Sequence, residues 1–137
     1  MGRPASVRIW VDGACRGNPG LASIGALIAA PDGAVLRELS ERLGHATNNI
    51  AEYTALIRAL EEARLLGADE VEVRSDSLLL VKQMAGEYRV KHPNLKPLFA
   101  RARKLAGAFE RFRFLHVPRE ENREADRLAN EALDSPG

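Results

Sequence analysis

Ile9-Trp10-Val11-Asp12-Gly13-Ala14-Cys15-Arg16-Gly17-Asn18-Pro19-Gly20 is the stretch on which the reading of the whole chain turns. Val7, Ile9 and Val11 alternate with Arg8, Trp10 and Asp12, the two-residue period of a strand with one face in a core, and a Gly/Asn/Pro turn follows. An aspartate at the end of a central strand sits at the rim of the core, where desolvation penalises a lone negative charge, so Asp12 needs a partner. A basic side chain, a turn amide and a metal ion all remain open, as does the plainer role of capping the turn.

Outward from this strand, the small apolar run Ala22 to Ala30 and the extended segment Ala34 to Leu43 flank Pro31-Asp32-Gly33, which reads as an antiparallel hairpin. Leu36, Leu39 and Leu43 break two-residue phase, which predicts an edge strand with a bulge. His45 to Asn49 reads as a loop. From Ile50 the period becomes 3.6 through Tyr53, Ile57 and Leu60, predicting a helix that ends at Gly67. Val71 to Asp76 alternates as a strand, Ser77 can cap a helix over Leu78 to Ala85, and Gly86 to Pro93 connects to an amphipathic helix over Leu95 to Phe109. Phe112 to Val117 reads as the last strand, Pro118 to Glu121 as a loop and Asn122 to Leu133 as the last helix. Residues 1–5 and 134–137 are expected to fray. Three antiparallel strands followed by helix, strand, helix, helix, strand, helix make a mixed α/β sheet. Its crossovers place Asp76 at the same edge as Asp12.

The 137 residues fit a single domain, 1–137, and 45% apolar with 28% charged residues excludes a largely disordered chain. No run reaches the ~18 apolar residues of a membrane span, and Met1 to Ser6 lack the apolar segment of a secretory signal, so a cytoplasmic protein without a membrane partner is expected. One cysteine, Cys15, can form neither an internal disulfide nor a cysteine-rich zinc site. A net charge of +1 gives little sign of a nucleic-acid partner. The distribution says more: from Lys82 to Phe109, seven lysines and arginines face the single acid Glu87, either a phosphate-binding surface or a solvated helix face.

Two further acids stand out. Glu52 lies three residues after Asn49 and could be the partner in a capping box, and Asp126 could be a helix-surface acid beside Arg123 or Arg127. Context changes their meaning, because at all four acids the chain resembles the type 1 ribonuclease H family. Asp12 to Gly20 is similar to its first motif, Thr47-Asn48-Asn49-Ile50-Ala51-Glu52 to the second, Ser75-Asp76-Ser77 to the third and Asn122 to Ala129 to the fourth, in the same order and spacing. The resemblance implies a five-stranded mixed sheet of order 3-2-1-4-5, strands 1–3 antiparallel, with helices on both faces. It implies that Asp12, Glu52, Asp76 and Asp126 are catalytic and hold two Mg²⁺ ions, with Mn²⁺ as a substitute. The implied reaction is endonucleolytic cleavage of the RNA strand of an RNA–DNA hybrid, leaving 5′-phosphate and 3′-hydroxyl ends. Electrostatics agrees: two carboxylates about 4 Å apart repel by roughly 4 kcal/mol at an effective dielectric of ~20, so four in one cleft call for divalent cations.

The resemblance also implies that Asn18, Asn48 and Asn49, with the Arg16-Gly17 backbone, read the 2′-hydroxyl that distinguishes RNA, and that Thr47 holds a DNA-strand phosphate. The chain is similar to a short form of the family, sometimes fused to a phosphatase-like domain that is not expected within these residues. It lacks an inserted basic protrusion, since Tyr88 to Leu95 runs straight on, which leaves phosphate contacts to Lys91 and Lys96. It also lacks the family's longer loop histidine. His116 shares strand phase with Phe112 and Phe114, which makes Arg119 the better-placed loop residue. Two other readings remain open, cleavage of double-stranded RNA by the same site and a non-catalytic nucleic-acid-binding module. A monomer is expected in either case.

Overall fold

Val7, Ile9 and Val11 are all buried, and the strand that carries them, β1 (Ser6–Gly17), runs on well past Asp12. In this computed structural model, residues 5–134 are described. The expected fraying of residues 1–4 and 135–137 lies outside them. Of the other two positions expected to fray, Ala5 accepts backbone hydrogen bonds from Asp69 and Glu70, and Asp134 closes the last helix.

The elements that follow are β2 (Gly20–Ala29), β3 (Val35–Ala46), α1 (Asn48–Leu65), β4 (Glu70–Ser75), α2 (Leu78–Met84), α3 (Lys96–Gly107), β5 (Arg111–His116) and α4 (Arg123–Asp134). A 3-10 turn, Arg119–Glu121, stands where a loop was expected. The sheet order is β3-β2-β1-β4-β5. β1, β2 and β3 pair antiparallel, and β4 is parallel to both β1 and β5. This is the expected five-stranded mixed sheet. No helix among the described residues is long and apolar enough to cross a membrane.

Three boundaries differ from expectation, each for a local reason. Asp12 does not end its strand, because the turn at Asn18-Pro19 returns β2 directly alongside and pairing continues to Gly17↔Gly20. What ends near Asp12 is the parallel ladder to β4, whose last pair is Trp10↔Arg74. β3 likewise takes in His45 and Ala46, expected in a loop, since they pair with Leu21 and Gly20. The register skips Leu36, which is out of phase with Leu39, and also Leu43, so the expected bulge on this edge strand occurs twice. Finally, α1 begins at Asn48, because Thr47 Oγ1 accepts from Ile50 N at 3.2 Å and caps the helix; Glu52 is thereby released from the capping-box role.

Two glycines set how closely the helices approach. A Cβ on Gly13 would lie 2.6 Å from the backbone of Ala51 and Glu52, so its absence seats α1 on one face of β1. A Cβ on Gly25 of β2 would lie 2.1 Å from Ala125 O and 2.4 Å from Ala129 N, so its absence seats α4 on the other face. Ser23 and Ser40 donate to the Ala129 and Leu128 carbonyls, and Arg42 Nε donates to Ala132 O at 2.7 Å, pinning α4 along its length. The apolar core of Val7, Ile9, Val11, Val71 and Val73 packs under Leu56 and Leu60 of α1 and Leu105 of α3.

Candidate active site

Beyond Trp10↔Arg74, β1 has no strand on its β4 side, and two backbone groups there find side-chain partners instead. The Val11 carbonyl accepts from Asn122 Nδ2 at 2.9 Å, and the Gly13 N–H donates to Glu52 Oε1. Four acids meet at this gap. Asp12 comes from β1, Glu52 from the second turn of α1, Asp76 from the residue after β4, and Asp126 from the first turn of α4. Carboxylate oxygens of Asp12, Glu52 and Asp76 lie within 4.8 Å of one another. Asp126 stands outside that trio, yet its side chain hydrogen-bonds that of Asp12, and all four line one open cleft of about 460 Å³.

Asp12 is 8% exposed. Burial, then the charges of Glu52 and Asp76, then the hydrogen bond and charge of Asp126 push its carboxyl up to about 9. Burial also raises Glu52, to about 7, against the opposing pull of the Gly13 N–H that stabilises its anion. Arg119 is the only cationic side chain lining the cleft among the described residues, too few charges to neutralise the trio. Crowded carboxylate oxygens, two of which, on Asp12 and Glu52, are held above the usual carboxylate range chiefly by burial, are a donor set suited to a hard divalent cation.

The other expected site residues divide by position. Asn48, Asn49 and Arg119 line the acidic cleft. Asn18 Oδ1 accepts from Asn48 N at 3.1 Å, and Asn18, Thr47 and Asn49 also line an adjoining hollow of about 300 Å³ with His92 and Asn94. Gly17 takes φ +94° at the β1–β2 turn, next to Arg16, whose guanidinium is engaged by Asp134. Lys91 and Lys96 are not brought to the acids; Lys96 lines a separate groove with Tyr88 and Arg89. Within the basic segment Lys82 pairs with Glu87, Arg101 pairs with Glu61, and Arg103 lies over the Phe99 ring. His116 is exposed at the end of β5, paired with Ser75 in the sheet, and does not line the cleft.

Two asparagines at the site were not singled out for it by the sequence. Asn130 lines the cleft and donates to Asp126 Oδ1 at 3.3 Å and to its carbonyl at 2.9 Å; its spacing of four residues from Asp126 on a helix was the available signal. Asn122 is buried and bridges Val11 O and Asp76 Oδ1, a contact across elements that leaves no local pattern.

Comparison with known proteins places this geometry. The model of a family described as reverse transcriptase-like matches residues 10–132. The ribonuclease HI of Halobacterium salinarum is 46% identical over 132 residues, covering 96% of this chain and 66% of that protein. The solved N-terminal RNase H domain of Rv2228c from Mycobacterium tuberculosis is 48% identical with a TM-score of 0.91, covering 94% of this chain and 99% of that one. The full bifunctional Rv2228c protein is longer, and this chain covers 36% of it. LC11-RNase H1, solved in complex with an RNA/DNA hybrid, is 48% identical with a TM-score of 0.88, covering 93% and 96% of the two chains.

Proposed function

We propose, from the premise that this chain belongs to the ribonuclease H-like, reverse transcriptase-like family, that it is a metal-dependent endoribonuclease cleaving the RNA strand of RNA–DNA hybrids. The observation that carries the reading is the convergence of Asp12, Glu52 and Asp76 within 4.8 Å, with Asp126 beside Asp12, in one open cleft of about 460 Å³. In this reading the four acids hold two Mg²⁺ ions, for which Mn²⁺ can substitute. Two such ions supply, when bound, an activated water on one side of the scissile phosphate and charge stabilisation of the departing oxygen on the other, leaving 5′-phosphate and 3′-hydroxyl ends.

The chain's own part is placement. Asp12 is held in a paired strand, and Glu52 is oriented by the Gly13 N–H, so the carboxylates need little reorganisation to receive cations. Asn48 and Asn49, at the N-terminus of α1, present amides able both to donate to and accept from a 2′-hydroxyl, with Asn18 and the Arg16-Gly17 backbone alongside. Thr47 faces a DNA-strand phosphate. Arg119 lines the cleft and serves where relatives use a loop histidine, acting through charge and hydrogen bonds to phosphate because it stays protonated. Lys91 and Lys96 lie away from the acids and contact phosphates further along the duplex. The working unit in this proposal is a cytoplasmic monomer with a single domain.

The test is direct. An end-labelled hybrid, a duplex RNA and a duplex DNA are incubated separately with the protein and Mg²⁺ or Mn²⁺. Cleavage confined to the RNA strand of the hybrid supports the proposal, cleavage of duplex RNA widens the substrate class, and binding without cleavage in either metal refutes it.

A further inference from the structure

Asn122 touches the surroundings of three of the four acids without being one of them. It is 1% exposed. Its Nδ2 donates to Val11 O, the residue before Asp12, at 2.9 Å and to Asp76 Oδ1 at 3.3 Å. Its backbone carbonyl accepts from Asp126 N at 3.1 Å. An amide nitrogen has two hydrogens, and both are committed here. Its Oδ1, by contrast, is buried with no partner among the described residues. Burying an acceptor without a donor is costly, so this side chain is poorly explained as core filling.

We infer that Asn122 is a positioning residue for the metal site: by holding Asp76 through Oδ1 it leaves Oδ2 as the oxygen offered to a cation, and so favours Mg²⁺ over Ca²⁺. The inference rests on the metal reading of the site given above. A carboxylate restrained to one free oxygen is a monodentate ligand. Mg²⁺ demands near-octahedral geometry and suits such ligands, whereas Ca²⁺ takes more oxygens and readily accepts both oxygens of one carboxylate. Hydrogen-bonding partners behind a ligand commonly tune metal affinity in this way.

Mg²⁺ and Ca²⁺ are titrated separately, without nucleic acid, into the wild-type chain and into Asn122→Ala and Asn122→Ser, with calorimetry and thermal shift as readouts. In the folded variants Mg²⁺ affinity is expected to fall about tenfold while Ca²⁺ affinity changes by less than about threefold. In an Asp76→Asn background the Asn122 substitution should lower Mg²⁺ affinity no further. Unchanged Mg²⁺ affinity in a folded variant, or an equal loss for both ions, would overturn the inference while leaving the metal reading intact. A wild-type chain that binds neither ion would overturn the metal reading itself. If neither variant folds, the wild-type protein still decides, because the Asn122 side-chain amide resonances should move as Mg²⁺ is added and their constancy at saturation would refute the role.

Discussion

Replacing Asp12 with asparagine should stabilise the metal-free protein while abolishing cleavage. Asp12 titrates near 9 in the fold against 3.8 for an ordinary aspartate. Between those values the folded chain holds a proton that the unfolded chain has released, so stability falls as pH rises through that window. From 3.8 to pH 7 is about 3 pH units, which at 1.36 kcal/mol per unit sets a ceiling of about 4 kcal/mol on the destabilisation. The cleft is open to solvent, so roughly half of that is a reasonable expectation. Asparagine is neutral at every pH and keeps a donor for Asp126. At about 3 °C per kcal/mol for a chain of this size, Asp12→Asn should melt some 6 °C above wild type at pH 7 in a chelator, and the gap should close as pH falls towards 4. Adding Mg²⁺ should reverse the ranking, since a bound cation stabilises only the state that can hold it. Thermal melts of both proteins from pH 4 to 9, with chelator and with Mg²⁺, measure all of this. A variant that melts below wild type at neutral pH without metal would refute the electrostatic reasoning, and one that cleaves hybrid at the wild-type rate would refute the role of Asp12.

Gly25→Ala should destabilise the fold by about 1–3 kcal/mol or more in denaturant titrations, because its methyl would drive into the Ala125 and Ala129 backbone of α4. Replacing Lys91 and Lys96 together by alanine should reduce the salt slope of hybrid binding by about 1.5 to 2, with little change in turnover at saturation; an unchanged slope would make the segment a solvated face. Arg119→Ala should slow single-turnover cleavage about tenfold, near 1.4 kcal/mol, with the loss independent of pH from 5.5 to 9. His116→Ala should remain close to wild type, and a large pH-dependent loss there would reverse the assignment.

Much of this architecture is legible in local pattern. Alternation at Val7, Ile9 and Val11 and at Val71 and Val73 gives strands, the helices between β4 and β5 force a parallel crossover between those two, and the parallel pairing of β4 with β1 brings Asp12 and Asp76 to one edge. The phase break between Leu36 and Leu39 marks one bulge, whereas Leu43, in phase with Leu39, gives no sign of the other. Features that depend on a partner element are not legible. The continuation of β1 past Asp12 is fixed by β2, and the start of α1 is fixed by a threonine hydroxyl competing with an equally suitable asparagine. The contacts of Ser23, Ser40 and Arg42 with carbonyls of α4 join residues 88 to 106 positions apart. Asn122 belongs with these: nothing in its neighbourhood in sequence announces a bond to Val11 or Asp76.

The gap beside β1, where side chains stand in for a missing strand, bears on how an inactive version of this protein should be made for trapping nucleic acid. Glu52 satisfies the Gly13 N–H, so truncating it removes an acid and strands a backbone donor together, and any loss of capture would mix damaged scaffold with lost chemistry. Asp12 is an acid of the site that does not serve as that backbone partner. A substrate trap is therefore better built on Asp12→Asn, whose scaffold should be tighter than the parent's.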